Sequence, residues 1–186
     1  MSPSPERSSF ATSGSATSGR ATSGHATSGS VVPVYDHPEA VKAFVAAGLW
    51  AGQRQFGAAT AIGFATAEEG LVAGFVYHGY EPEAGAIEIS AYASRHNWCT
   101  RSHLERIFAY PFEELGCRLV VARHSEDNKR VRRIWRALGA QETLIPELHA
   151  PGVAEAVALL NRQDWQNAPY RLPANRLPAN RRPRYG

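Results

Sequence analysis

The sequence predicts one mixed α/β (α+β) domain, in which helices flank a central mixed sheet of about six or seven strands. Strand-like and helix-like hydrophobic patterns alternate throughout residues 31–168. The run Leu119–Ala122 is continuously apolar, as expected for a central strand buried on both faces. Residues 128–138 combine an apolar stripe at helical spacing with a strongly basic opposite face, which is typical of an amphipathic helix.

Repetitive segments flank this domain on both sides. Residues 11–30 repeat Ala-Thr-Ser-Gly followed by one variable residue, and such small residues bury too little apolar surface to offset chain entropy. Arg-Leu-Pro-Ala-Asn occurs twice within residues 171–180, and its regularly spaced prolines exclude a helix. We therefore expect two disordered tails, an Ala/Thr/Ser/Gly repeat tail over residues 1–30 and a basic tail over residues 169–186.

The net positive charge of the chain comes from its C-terminal tail. The formal charge is +3, but residues 171–186 contain five arginines and no acidic residue. A nucleic-acid-binding domain would carry its basic residues on the folded part, with an aromatic platform or a recognition helix. The composition therefore argues against a nucleic-acid partner.

Several absences indicate a cytoplasmic protein. No apolar run approaches the ~18 residues that span a bilayer, and residues 1–6 lack the basic and apolar parts of a secretion signal. Cys99 and Cys117 form no pair at metal-binding spacing, and two lone thiols suit a reducing compartment. We expect neither a metal site nor a membrane segment.

The first half of the domain is predicted to contain one helix and four strands. A strand at Val31–Tyr35 precedes a helix that begins with the capping box Asp36–Glu39, where Pro38 occupies the first turn. Three antiparallel strands follow at Ala58–Ala67, Leu71–Tyr80 and Ala86–Ala93. Alternation divides the last strand between two faces, with Ile87, Ile89 and Ala91 on one and Glu88, Ser90 and Tyr92 on the other.

The second half continues the alternation of helices and strands. A helix over residues 102–115 begins with the capping box Ser102–Glu105, kinks at Pro111 and ends at Gly116. The remaining elements are a strand at Cys117–His124, the amphipathic helix, and a hairpin of strands at Gln141–Leu148 and Val153–Leu160.

One crossover places polar groups where an anion can bind. The strand at residues 86–93 connects through the helix at 102–115 to a parallel strand, and Thr100, Arg101 and Ser102 lie where that helix begins. Unpaired N–H groups and the helix dipole attract an anion at such a terminus. Most capped crossover helices bind no phosphate, so this pattern alone is weak evidence.

Longer motifs strengthen the interpretation. Residues 128–140 contain an asparagine, an aromatic residue seven positions later at Trp135, and then Leu-Gly-Ala. With the strands Leu71–Tyr77 and Gly85–Ala91 and the loop Arg95–Thr100, this pattern resembles the GNAT acetyltransferase superfamily over nearly the whole predicted domain. The resemblance is closest to divergent members found in phage and prophage gene sets.

The resemblance implies a fold, a reaction and a set of contacts. The sheet would splay between its two central parallel strands and admit acetyl-CoA, the co-substrate of an N-acetyltransferase. The acetyl group would pass to a primary amine of a small molecule, peptide or protein by direct attack in a ternary complex. The implied cofactor contacts are Ile89, Ser90, Ala91, Trp98, Thr100, Arg101, Ser102 and Asn128. The pattern is compatible with an oligomer.

This reaction needs a base for the amine and a proton donor for the leaving thiolate. Glu88 is the candidate base, because a strand carboxylate beside an apolar cleft is a suitable proton acceptor; a solvent-exposed structural role is the alternative. Trp135 stands where the family often has an acidic tyrosine. Since indole cannot supply a useful proton, Tyr92 is the candidate donor; the alternatives are Tyr77, water, or a protonation that needs no enzyme group.

Departures from the family pattern leave a second interpretation open. Trp98 and Thr100 stand where the family's phosphate loop has glycines, which weakens the expectation of cofactor binding. Asn128 could serve only as a helix N-cap. The alternative is a catalytically degenerate GNAT-fold protein that acts as a structural or interaction module, as in a phage-derived assembly.

Overall fold

The computed structural model describes residues 29–168 of the chain. The tails predicted for residues 1–30 and 169–186 lie outside this range, apart from residues 29 and 30. The described strands are β1 Val32–Val34, β2 Thr60–Thr66, β3 Gly70–Glu81, β4 Ala86–Ala93, β5 Leu119–Ser125, β6 Gln141–Ala150 and β7 Val153–Asn161. The described helices are α1 Pro38–Trp50, α2 Arg101–Ala109, α3 Lys129–Ala137 and α4 Arg162–Asn167.

The described strands form one mixed sheet that opens at its centre. The strand order is β1-β2-β3-β4-β5-β7-β6. Strands β4 and β5 are parallel, and the other neighbouring pairs are antiparallel. The parallel pairing runs from Ala86 and Leu119 to Glu88 and Val121, although both strands continue beyond this point. The predicted mixed sheet, splayed between two parallel strands, is confirmed.

Helix α1 packs on one face of the sheet and α2, α3 and α4 on the other; we call these the α1 face and the α2 face. On the α1 face, Val41 and Val45 approach the sheet closely over Gly63 and Gly74, where a Cβ at Gly74 would lie 2.7 Å from Val45 Cγ2. Trp135 packs against the core of the α2 face. That core includes Ile87, Ile89, Ile107, Phe108, Val120, Ala122, Leu138 and Trp165.

The prediction that the central strand is buried on both faces is wrong for β5. Val120 and Ala122 are buried on the α2 face, but Arg123 on the α1 face is exposed. Helix α1 packs against β2, β3 and β4. The α1 face therefore stays open over β5, beside the gap between the parallel strands.

The capping box of α2 differs from the predicted one. Thr100 is the N-cap residue, and its side chain and backbone pair reciprocally with His103. The box predicted between Ser102 and Glu105 does not form, because a histidine takes the part usually played by glutamate. Glu105 is buried instead.

Two other helical features agree with the sequence only in part. Pro38 lies in the first turn of α1, but the N-cap residue is His37 and no side chain caps the helix, so the box predicted at Asp36–Glu39 is absent. The kink expected at Pro111 takes the form of a π-helical turn, Tyr110–Glu114. Within residues 29–168, no helix has the length and apolar character needed to cross a membrane.

Candidate functional site

The parting of β4 and β5 exposes backbone at the centre of the sheet. The predicted cofactor contacts Ile89, Ser90 and Ala91 lie directly beyond Glu88, the last residue of β4 that pairs with β5. On their other side, these residues pair with β3. Ile89 is buried in the core, Ser90 is half-buried and Ala91 is exposed. The open edge of β4 therefore offers mainly backbone groups and one hydroxyl.

The N-terminus of α2 keeps part of the predicted anion site. Thr100 Oγ1 accepts the His103 N–H at 3.4 Å, and the Thr100 N–H donates to His103 Nδ1 at 3.3 Å. The N–H groups of Arg101 and Ser102 precede the first intrahelical hydrogen bond. These two backbone donors and the exposed Arg101 side chain are available to an anion, whereas the N–H of Thr100 is occupied.

The Trp98 side chain belongs to the aromatic core. Its ring lies 4.9 Å from Phe64 and 5.7 Å from Phe75, and it stacks on His103 at 5.8 Å. The loop before α2 turns at Asn97, whose φ of 58° is the left-handed conformation that a glycine would adopt. Trp98 can therefore contribute its backbone, but not its ring, to a phosphate loop that contains no glycine.

Asn128 begins α3 at the end of β5. Its Oδ1 accepts the Val131 N–H at 3.2 Å, which confirms the predicted capping role. One residue into the helix, the Arg130 guanidinium contacts His96 in the loop before α2. The first turn of α3 and the loop before α2 thus meet at the open end of the two parallel strands.

A polar cluster lies on the α1 face where the parallel pairing ends. It comprises His78, Glu88, Ser90, Arg123 and Glu155. His78 of β3 pairs with Glu88 of β4, and its Nε2 lies 2.9 Å from Ser90 Oγ. Arg123 donates from Nη2 to Glu155 Oε2 at 2.7 Å, and this ion pair joins β5 to β7.

The charges of this cluster act on one another. Burial lowers the pKa of His78, while the negative charge of Glu88 acts to raise it and the positive charge of Arg123 acts to lower it. The His78 ring is therefore neutral at physiological pH. The hydrogen bond to Glu155 raises the pKa of Arg123, which stays charged.

Of the polar cluster, Glu88 and Ser90 are candidates from the sequence, whereas His78, Arg123 and Glu155 are not. His78 lies opposite Glu88 only because of the pairing register between β3 and β4, and that register shifts between His78 and Glu81. Regular pairing continued from Glu81 and Ala86 would have placed His78 opposite Ile89 instead of Glu88. Arg123 belongs to the strand that the sequence predicts to be buried on both faces, so nothing in the sequence marks it as a site residue.

The predicted proton donors lie apart from the polar cluster. Tyr92 shares the face of Glu88 but follows it by four residues, about 13 Å along an extended strand. Its ring packs 5.4 Å from Phe44 of α1. Tyr77 is buried on the α2 face, on the other side of the sheet from the polar cluster, and its hydroxyl donates to the Ile107 carbonyl at 2.7 Å.

A row of rings leads from the polar cluster toward the end of α1. Phe56 lies 5.5 Å from His78 and 4.8 Å from Trp50, and the Arg54 guanidinium stands 5.9 Å from the centre of the Trp50 ring. Beside Phe56, residues of α1 and the following loop line a depression of about 240 Å³. Within residues 29–168, no three His, Cys, Asp or Glu side chains are grouped as a metal ion requires.

Comparison with known proteins establishes the fold class. No family model matches the sequence, and no curated protein matches it. A solved candidate acetyltransferase matches at 16% identity and a TM-score of 0.52, over 60% of this chain and 63% of that one. The spermidine/spermine N-acetyltransferase SpeG from Vibrio cholerae matches at 12% identity and a TM-score of 0.52, over 59% of this chain and 68% of that one. A candidate acetyltransferase from T. thermophilus matches at 16% identity and a TM-score of 0.50, over 60% and 63% of the two chains.

The extent of these matches limits what they show. The chain spans less than two thirds of the first of these structures, which it covers to 63%. At identities of 12–16%, the likeness concerns the course of the backbone. The seven-stranded mixed sheet with its flanking helices has the GNAT fold of these acetyltransferases.

Proposed function

We propose that the protein is an acetyl-CoA-dependent N-acetyltransferase that transfers the acetyl group to a primary amine by direct attack in a ternary complex. The observation that supports this proposal most strongly is the early end of the β4–β5 pairing at Glu88 and Val121. Buried backbone N–H and C=O groups need hydrogen-bond partners. An extended, amide-containing pantetheine arm would satisfy the β4 edge over residues 89–91.

The ends of the cleft suit the remaining parts of acetyl-CoA. The N–H groups of Arg101 and Ser102, with the Arg101 guanidinium, would bind the pyrophosphate. Asn128 would approach the pantetheine from the start of α3. An enzyme that consumes acetyl-CoA also needs a compartment that supplies it, and we place this protein in the cytoplasm.

The acceptor amine would enter from the α1 face. Its nitrogen forms a bond to the thioester carbonyl carbon while the C–S bond breaks, and the ammonium form of the amine must first lose a proton. Glu88 provides negative charge beside this point, and Tyr92 is the candidate donor to the leaving thiolate. The aromatic row ending at Trp50 would contact the body of a small-molecule, peptide or protein amine.

Calorimetric titration of the full chain with acetyl-CoA tests this proposal, together with a thiol-release assay that uses spermidine and tyramine as acceptors. Binding at micromolar concentration and amine-dependent release of CoA are expected. Desulfo-CoA should bind to a similar extent but give no thiol. Absence of binding at millimolar acetyl-CoA would rule out the enzyme.

The alternative is a GNAT-fold module without catalysis, of the kind a phage-derived assembly would use. It is favoured by a specific observation: His103 occupies the N–H of Thr100, and the Trp98 ring is packed in the core, so the phosphate loop has fewer donors than a glycine-rich loop. A module of this kind would give neither acetyl-CoA binding nor thiol release.

A further inference from the structure

We infer that His78, rather than Glu88, is the group that takes the proton from the attacking amine, with Ser90 orienting its ring. This inference rests on the proposed acetyl transfer and names a catalytic residue for it. Glu88 then acts through His78, as a carboxylate that stabilises the imidazolium.

The position of the His78 ring supports this role. His78 and Glu88 are cross-strand partners on the α1 face, so their Cβ atoms lie about 5 Å apart. The ring reaches Ser90 at 2.9 Å, and Ser90 lies two residues beyond Glu88 along β4. Since Glu88 is the last residue paired with β5, the contact with Ser90 carries the His78 ring past that pair, to the part of β4 whose other edge is open. Glu88 itself lies where the sheet is still closed.

The surroundings of the ring favour its neutral, proton-accepting form. Phe56, in the loop after α1, packs against the His78 ring, and the two ring centres are 5.5 Å apart. The charged groups that face it are Glu88 from β4 and Arg123 from β5, and Arg123 is paired with Glu155 from β7. Burial lowers the pKa of His78, so the ring carries an available lone pair at neutral pH.

The hydrogen bond to Ser90 determines which nitrogen can accept the proton. If Nε2 donates to Ser90 Oγ, the lone pair is on Nδ1. The ammonium form of the acceptor gives one proton to Nδ1, and its nitrogen then attacks the thioester carbonyl. As the N–C bond forms and the C–S bond breaks, the proposed donor Tyr92 protonates the leaving sulfur, and the second nitrogen proton is returned to the Tyr92 phenolate through water. The imidazolium, stabilised by Glu88, returns its proton to water.

The pH dependence of kcat at saturating acetyl-CoA and spermidine, or tyramine if spermidine is not accepted, separates the two candidate bases. In the wild type we expect an acidic limb below pH 6.5, matching the His78 pKa measured by NMR titration of the ring. His78→Gln should lower kcat by roughly 10²–10³ and remove this limb, with unchanged acetyl-CoA affinity. Glu88→Gln should keep the limb but shift it to lower pH, because the charge that raises the pKa of His78 is lost.

Further variants control for folding and for position. His37→Gln removes a histidine whose side chain makes no cap hydrogen bond in α1, and it should behave as the wild type. Ser90→Ala should lower kcat about tenfold through loss of ring orientation, and Ser90→Thr, which keeps the hydroxyl, should restore it.

Three results would count against the inference in different ways. If the wild type transfers acetyl groups while His78→Gln keeps its kcat and its acidic limb, His78 is not the base and the proposed function stands. If Glu88→Gln alone removes the limb, the carboxylate is the base. If the wild type acetylates neither amine, the proposed function fails together with this inference.

Discussion

At the scale of single residues, the position of the Tyr92 ring depends on Gly48 of α1, which has no side chain to occupy the same space. A Cβ added to Gly48 of α1 would lie 2.2 Å from the Tyr92 ring, far inside van der Waals contact. Gly48 is thus needed for close approach between a helix and the sheet.

We expect Gly48→Ala to lower the free energy of unfolding by about 1–3 kcal/mol, because the overpacked ring must move. This loss should appear although alanine favours a helix interior by about 1 kcal/mol over glycine. Urea unfolding measures the change. In a Tyr92→Leu background the same substitution should be neutral or stabilising, and equal losses in both backgrounds would contradict the packing described.

Thr100 combines a structural and a proposed binding role. Thr100→Glu places a carboxylate where the pyrophosphate is proposed to bind, so affinity for acetyl-CoA should fall at least about tenfold. Calorimetric titration measures this change. Thr100→Ser keeps the capping hydroxyl and should bind as the wild type does. An unchanged affinity in Thr100→Glu would place the phosphates elsewhere.

At the scale of elements, one carboxylate attaches α3 to the sheet. Glu142 of β6 accepts hydrogen bonds from Arg132 at 2.9 and 2.8 Å and from Arg136 at 2.7 Å. Hydrogen bonds from Arg132, reinforced by Arg136, lower the pKa of Glu142 from 4.5 to about 2. The apolar contacts of α3 are incomplete, since Ile134 is 46% exposed. The hydrogen bonds from Arg132 and Arg136 to Glu142 therefore provide a large share of the attachment of α3 to the sheet.

Glu142→Gln should therefore lower the free energy of unfolding by about 1–3 kcal/mol at pH 7. A carboxylate whose pKa is lowered by folding stabilises the protein above its unfolded pKa, and this contribution disappears as the pH falls. The difference between wild type and Glu142→Gln should narrow from pH 4.5 to about 2. Urea unfolding across this range measures it, with Glu147→Gln on the exposed part of β6 as the control. A difference independent of pH would show that the charge is unimportant.

The elements also show what local sequence determines. Strand β4 occupies the predicted residues Ala86–Ala93, because its alternation is strict and Gly85 precedes it. The start of α2 was misplaced, since a histidine as partner in a capping box is indistinguishable from a surface histidine in a sequence. The open α1 face of β5 depends on how far α1 extends over the sheet, which no residue of β5 encodes.

The candidate site likewise has one part that local sequence determines and another that depends on the rest of the fold. The proposed backbone contacts at residues 89–91 and the proposed anion site at residues 100–102 followed from element order and motif resemblance. The neighbours of Glu88 did not, because His78 and Arg123 approach it from two other strands, and Glu155 reaches Arg123 from a third. Cross-strand register is set by turns and bulges, so such clusters become visible only in three dimensions.

At the scale of the whole molecule, residues 29–168 contain the seven-stranded sheet, its core and the candidate site. We expect a protein trimmed to residues 31–170 to melt within a few degrees of the full chain and to unfold cooperatively. Differential scanning calorimetry of both proteins makes this comparison. Loss of cooperativity on trimming would mean that residues outside this range belong to the folded unit.

The strand order imposes a sequence of events on synthesis. β7 lies between β5 and β6, although the ribosome makes β6 before β7. The 36 residues that separate Ser125 from Asn161 take roughly 2–7 seconds to translate, at about 5–20 residues per second. During that interval one side of β5 is an unprotected edge, and β6 is the first strand available to occupy it. To reach the native strand order, the nascent chain must therefore leave this edge of β5 unpaired until β7 has been synthesised.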